Sequence, residues 1–412
     1  MARATQASAG GSLGRFRGCG FGQPGRSRGA VKEHLAHKQR LLRRVRRAVV
    51  KIGSSILSGK EGINRERLRS LAGEICAIHA SGISVMVVSS GAVAAGMVRL
   101  GMKEKPKAVP QRQAAAAVGQ IDLMALYEEY FAAHRTQVAQ ILLTHDDLAN
   151  RNRYLNARHT VETLFQARVV PVANENDTVV TEELRNFGDN DNLSALIAGL
   201  VEADVLVLLS DVTGLFTKNP RAHADAELVH TIEDIDREVA FSFDGQGPLG
   251  TGGMASKFAA ARKAAHAGIP TIIADGMNEG VLPAVFDLKR TVGTLIVPKE
   301  DRLNSRKHWI AYTLKPTGTI TVDAGACDAI VQRGRSLLPK GVKRVDGKFG
   351  PGECVSCVGP SGREFARGLV SYGAIELDKI KGLHSGGIEG ALGYKLTDEV
   401  IHRNDLVLTE RD

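Results

Sequence analysis

Between Ala48 and about Pro298, short runs of consecutive apolar residues alternate with longer stretches whose apolar positions recur every three to four residues. Six short runs read as strands, at 48–53 (AVVKIG), 83–90 (ISVMVVSS), 137–143, 168–174, 204–211 and 270–276. Helical periodicity fills the gaps, near 64–80, 91–100, 111–134, 151–166, 191–201 and 256–267. A run that is apolar at nearly every position has no face for solvent, so these strands are expected to be buried on both sides. Such strands alternating with helices predict an α/β fold, an αβα sandwich around a mostly parallel central sheet.

From about Lys315 the pattern changes to short strand-like segments separated by Gly and Pro turns, which predicts a small β-barrel or sandwich. The expected organisation is a catalytic-sized domain over 48–300, a linker over 301–316 that carries the only tryptophan, Trp309, and a small domain over 317–405. No apolar run approaches the length of a membrane span; LSALIAGLV, at 193–201, stops at Glu202 and Asp204.

Charge adds a further division. Residues 1–47 hold ten Arg and two Lys against one acid, Glu33, a balance of +11; with +9 overall, the remainder carries −2. The folded part is therefore near neutral and does not present the basic surface of a nucleic-acid binder. The basic segment is rich in Gly, Ser and Arg, shows no apolar stripe before about Leu35, and is expected to be disordered. It lacks the apolar stretch of a secretory signal and fits either a transit peptide or an extension without structural role. Residues 315–412 carry fourteen Lys and Arg against thirteen Asp and Glu, which argues against RNA binding by the small domain.

Among the five cysteines only Cys354 and Cys357 are closely spaced. On a strand, a spacing of three turns the two thiols to opposite faces, so a structural role is expected and no metal site. Free thiols without a disulfide framework suit a reducing cytoplasm.

In open parallel sheets ligands bind beyond the carboxyl ends of the strands. The polar residues that interrupt the apolar pattern gather there. Lys51 lies within the first strand, SSG (Ser89–Gly91) closes the second, NEND (Asn174–Asp177) follows the fourth, and Ser210–Asp211 ends the fifth. GDNDN (188–192) leads into a helix and offers four polar side chains where a cap uses one. GTGGMASK (250–257) places three glycines and a lysine before another helix, which suits phosphate but lacks the spacing of a Walker A loop.

Taken together, VVKIGSSIL, VSSGAVAAG, VVPVANENDTV, GDNDNLSALIA, LLSDVTGLFTKNP and GTGGMASK resemble the glutamate-phosphorylating branch of the amino acid kinase family. GTITVDAGACDAI and GRSLLPKG resemble the PUA domain attached to its prokaryotic members. The resemblance implies ATP-dependent phosphorylation of the side-chain carboxylate of L-glutamate, with Mg²⁺ carried by the nucleotide. It also implies a cytoplasmic homo-oligomer inhibited by proline. By motif, Lys51 and Lys257 would hold the transferring phosphoryl group and Asp191 would position them. Ser90, Asp177 and Asn190 would bind glutamate. Lys51, Ser210, Asp211 and the loop Thr251, Gly252, Gly253, Met254, Ala255, Ser256 and Lys257 would bind ATP. Acetylglutamate- or uridylate-kinase-like chemistry and an RNA-binding protein built on the PUA module are the alternatives. NEND with GDNDN counts against the first, and near-neutral charge against the second.

Overall fold

The computed structural model describes residues 27–409, apart from 60–61, 105, 180–189, 219, 221–222, 224, 238–251 and 300–313. Its first part is an eight-stranded sheet. The strands are β1 (Arg47–Ile52), β2 (Ser84–Ser89), β3 (Val138–Leu143), β4 (Val170–Glu175), β5 (Val205–Ser210), β6 (Thr231–Ile232), β7 (Thr271–Asp275) and β8 (Thr294–Ile296), in the order β6-β8-β7-β5-β1-β2-β4-β3. Every pairing is parallel except that of β7 with β8.

Successive residues of the inner strands feed opposite cores. Val50, Ile52, Val85, Val87, Val207 and Leu209 join one apolar cluster, and Val49, Met86, Val88, Leu206 and Leu208 the other. Hydrophobic burial on two faces is what the unbroken apolar runs require. The run at 137–143 departs from this expectation. It forms the outermost strand, β3, and leaves Gln140 and Leu142 exposed. An apolar run records strand propensity, not the strand's place in the sheet.

Helices cover both faces, here numbered α1 (Ser27–Leu42), α2 (Arg65–Ala80), α3 (Ala92–Arg99), α4 (Val109–Ala132), α5 (Arg151–Gln166), α6 (Asn190–Leu200), α7 (Gly252–His266) and α8 (Val281–Phe286). Asn64 caps α2 by accepting from Arg67 N, and Asn150 caps α5 by accepting from Arg153 N. α3 and α4 cross closely because both contacts are glycine. A Cβ on Gly96 would lie 1.7 Å from Ala115 O, and one on Gly119 1.9 Å from Ala92 O.

α1 corrects the expectation of a disordered segment over 1–47; residues 1–26 lie outside the described part. His34, Lys38 and Leu42, spaced by four, form one buried stripe along it. Lys38 Nζ donates to the carbonyls of Ala284, Asp287 and Arg290 at 2.9, 2.8 and 2.7 Å. It thereby caps the end of α8 and the turn beyond. The His34 ring bonds the carbonyl of His230 at 2.8 Å. The stripe escaped a search for apolar periodicity because two of its three members are polar.

The last part has its own core, built from Leu314 and residues after it. β9 (Gly318–Val322) lies between β10 (Val342–Gly347) and β11 (Cys354–Val358), followed by β12 (Glu364–Leu369) and β13 (Leu406–Leu408). Asp323 caps α9 (Ala324–Arg333) by accepting from Ala326 N at 2.7 Å, and Gly334 ends it at φ 57°. Cys354 and Cys357 are buried in separate apolar clusters, on opposite faces of β11. The expected linker falls mostly at 300–313, outside the described residues, as does Trp309. Among the described residues no helix is long and apolar enough to cross a membrane.

Candidate active site

The carboxyl ends of β1, β2, β4 and β5 meet the first turns of α6 and α7, and the polar clusters read from the sequence converge there. Lys51 lies one residue from the end of β1, in register with Val88 on one side and Leu208 on the other. It is thus in the middle of the sheet, not on an edge where a lysine would simply reach solvent.

Asp191 opens α6, where the helix dipole favours an anion. Its Oδ1 lies 2.5 Å from Lys51 Nζ and its Oδ2 3.3 Å from Lys257 Nζ. Ser256 Oγ donates to Oδ2 at 2.7 Å. Burial by itself would raise the pKa of Asp191, but the two ammonium groups outweigh it and hold the carboxyl below its ordinary range. All three charged side chains are nearly inaccessible, at 5–12% exposure. Two cations around one anion leave a net positive charge in a dry place.

Asp211 sits beside this group at the end of β5. Burial would raise its pKa, but its own backbone N–H, the hydroxyls of Ser55 and Ser210 (each 3.2 Å away) and the nearby Lys257 together lower it.

The Gly-rich segment differs from the expected loop. Gly252 to Lys257 already belong to α7, so what they present is a helix N-terminus, whose first N–H groups lack partners within the helix. Glycines in the first turn allow a ligand close to those donors. Thr251 lies outside the described residues, as do Gly188 and Asp189 of GDNDN.

A second group lies beyond Asn190. Its amide Nδ2 donates to Ser89 O (2.8 Å), Ser90 Oγ (2.9 Å) and Asn174 Oδ1 (3.0 Å). Its own Oδ1 is buried and finds no partner among the described residues. Gly91, at φ 109°, turns the chain from Ser90 into α3, a conformation that L side chains adopt rarely. Asp177 is 9% exposed and Glu175 5%. Burial first, then the neighbouring charge of Glu175, push Asp177 up to about 7 against the opposing pull of Arg112. A buried carboxylate with such a raised pKa, beside a second buried carboxylate, suits a cation.

The structure therefore gathers Lys51, Asp191, Ser256 and Lys257 into one cluster, Ser210 and Asp211 beside it, and Ser90 and Asn190 with Asn174, three residues ahead of Asp177, in a second. Sequence reasoning missed Glu175, although it lies inside NEND, and missed Gln120 altogether. Gln120 interrupts the Ala-rich run of α4 directly after Gly119, the one local signal it gives.

The family model for the amino acid kinase family matches residues 46–275, and that for the PUA domain matches residues 318–391. A protein of Citrifermentans bemidjiense named glutamate 5-kinase is 50% identical over 373 residues, 90% of this chain and all of that one. The protein of the same name from Geobacter sulfurreducens is 50% identical over 370 residues, 89% of this chain and 99% of its own length. One from Geobacter metallireducens is 51% identical over 370 residues, with 89% and 99% covered. The chain belongs to the amino acid kinase family, within its glutamate 5-kinase branch, and carries a C-terminal PUA domain.

Proposed function

We propose that the chain transfers the γ-phosphoryl group of ATP to the side-chain carboxylate of L-glutamate, giving L-glutamyl 5-phosphate, the first step towards proline. The observation that carries this reading is the Lys51–Asp191–Lys257 group at the same sheet edge as the buried, cation-seeking Asp177. A substrate with an ammonium at one end and a carboxylate at the other spans both.

The glutamate side chain is ionised at neutral pH and is itself the nucleophile, so no general base is needed. One carboxylate oxygen forms a bond to the γ-phosphorus as the bond to the β-phosphate oxygen breaks, and ADP leaves with that electron pair. The protein's task is alignment and positive charge on the phosphoryl oxygens. Lys51 and Lys257 supply the charge, and Asp191 fixes both. The N–H groups opening α7 at Gly252 to Ala255, with Met254 and Ser256, line the phosphates, while Ser210 and Asp211 border the nucleotide; the family resemblance adds Thr251 to this set. Mg²⁺ bound to ATP would neutralise charge shared by the β- and γ-phosphates. Asp177 holds the α-ammonium, Asn190 offers its unpaired oxygen, and Ser90 borders the substrate.

The family resemblance supports two subsidiary readings, feedback inhibition by proline and a homo-oligomeric assembly. Reduced, buried Cys76, Cys354 and Cys357 support a cytoplasmic setting. Hydroxamate trapping in the presence of ATP tests the central reading, with glutamate, N-acetylglutamate, aspartate and UMP offered separately. Hydroxamate is expected with glutamate. Phosphorylation of N-acetylglutamate or UMP in preference to glutamate would overturn it.

A further inference from the structure

Three buried amides form a chain along the substrate side of the sheet. Asn190 Nδ2 donates to Asn174 Oδ1 at 3.0 Å, and Asn174 Nδ2 donates to Gln120 Oε1 at 2.9 Å. The oxygen and nitrogen of an amide are usually assigned by inference, but here backbone groups fix them. Asn190 must turn its NH₂ to Ser89 O, which only accepts. Asn174 must turn its oxygen to the Glu175 N–H, 2.9 Å away, which only donates. Gln120 therefore has to accept with Oε1, and its Nε2 is left over.

That Nε2 is buried and finds no partner among the described residues, and Gln120 as a whole is only 9% exposed. A buried donor without an acceptor is costly to the fold, so its retention asks for a ligand. The position is held firmly. Gly119 presses α4 against Ala92 and Gly96 of α3. Seven residues further along α4, Tyr127 donates to Ser89 Oγ at 2.8 Å, bracing the same helix to the end of β2.

We infer that Gln120 Nε2 donates to the α-carboxylate of the substrate and is a specificity-determining residue for an amino acid with a free α-carboxyl group. This rests on the reading of the site as a glutamate kinase. The direction follows from the order of the chain. Asn190 adjoins Asp191 and the lysines, where the reacting side-chain carboxylate must lie. Gln120 is at the other end of the chain, held by Asn174, the residue before Glu175 and three before Asp177. The α-carboxylate shares its carbon with the ammonium that those acids bind, so it arrives where the free donor stands.

Glutamate and its α-amide (isoglutamine) differ only at this group, and comparing kcat/KM for the two reports on it directly. Acyl phosphate formation from glutamate by the unaltered protein tests the underlying reading; the ratio between the two substrates tests Gln120. The unaltered protein should prefer glutamate. In Gln120→Met, of similar shape but without the donor, the preference should fall about 10- to 100-fold, the scale of one hydrogen bond to a charged group. KM for ATP should stay within about twofold. In Gln120→Glu a carboxylate faces the α-carboxylate, so glutamate should suffer more while the α-amide, which can donate, should gain relative to it. A merely structural role would lower both substrates together. An unchanged ratio in either soluble variant, or an unaltered protein that uses the α-amide as well as glutamate, would overturn the inference.

Discussion

Asp191 divides its two carboxylate oxygens between two lysines, Oδ1 to Lys51 at 2.5 Å and Oδ2 to Lys257 at 3.3 Å. One lysine comes from the middle of the sheet and the other from the second turn of α7, more than two hundred residues later. The carboxylate therefore sets the spacing of two charges that the chain otherwise leaves independent. It also eases burial of the pair in the absence of substrate, since both ammonium groups contact the same carboxylate.

Removing either lysine should consequently harm chemistry more than folding. Lys51→Ala and Lys257→Ala should each lower kcat by at least about 10²-fold, the scale of losing one preorganised charge. Either single variant leaves Asp191 one partner. The double variant leaves a buried carboxylate unpaired, which costs about 3–5 kcal/mol, and should lose more stability than the two singles add up to. Adding Asp191→Asn should restore much of it. Chemical denaturation of the four proteins measures the coupling, and strict additivity would show that Asp191 does not mediate between the lysines.

Asp177 leads to a prediction in pH. Its folded-state pKa is raised from 3.8 to about 7, so between about pH 4 and pH 7 the folded, ligand-free protein holds a proton that the unfolded chain has released. Stability without substrate should therefore fall as pH rises through that window, by an amount on the order of 2–4 kcal/mol from this group. Binding an ammonium requires the ionised form, so KM for glutamate should rise about tenfold from pH 8 to pH 6, as follows from titration around 7. Asp177→Asn should abolish that slope, raise the melting temperature of the free protein at pH 8 and raise KM for glutamate, with little change in KM for ATP. A glutamate KM that does not move with pH or with the substitution would remove Asp177 from the substrate site.

α1 reverses the expectation that the basic N-terminal segment adds nothing. Lys38→Met should strand the three carbonyls it now serves and cost about 2–4 kcal/mol. Because the contacts lie at the end of α8, away from Lys51 and Asp191, kcat should be nearly unchanged at temperatures where the variant is folded. Thermal melting with parallel activity assays separates the two effects. An unaltered melting temperature would mean that α1 docks without contributing to stability.

How far the sequence foretold this molecule depends on what each residue's neighbours in the chain disclose. Six strands and the helices between them were legible because burial on both faces leaves an unbroken apolar run, and their bounds agree with the structure to within two residues or so, save the start of α7. That helix begins at Gly252 instead of 256, since its first turn is built from glycines that carry no helical signal of their own. The short strands β6 and β8 were invisible, being two and three residues long. Lys51 stood out as a charge in a buried strand, Asp191 in a polar run too long for a cap, and Lys257 in a Gly-rich stretch. Gln120 did not, because a single amide in an Ala-rich helix looks like a solvent-facing residue until the fold places Asn174 against it. The stripe of His34 and Lys38 was hidden for the opposite reason: polar side chains are buried there through bonds to carbonyls far away in sequence.

The two apolar cores share no residue, which predicts how the chain should behave when cut. The residues gathered at the candidate active site all precede β8, and the core of the last part draws only on residues from Leu314 onward. A chain ending near Asn304 should retain both faces of the large sheet. The cut must stay ahead of β9, because an incision within Gly318–Val322 would break an interior strand of the small sheet and expose its paired edges. Among the described residues the cut touches at least one charge. Arg158 on α5 feels Asp405 of the small domain, but it keeps Glu202 at 2.5 Å after the cut. The loss of the second carboxylate at that point should cost little. The truncated protein should form acyl phosphate from glutamate with kcat within roughly threefold of the full chain, a change of about 0.7 kcal/mol in the barrier. Size-exclusion chromatography and proline titration of the same fragment would report whether assembly or inhibition depends on the small domain. A soluble, cooperatively melting fragment with no turnover at saturating glutamate and ATP would show that the PUA domain takes part in the chemistry.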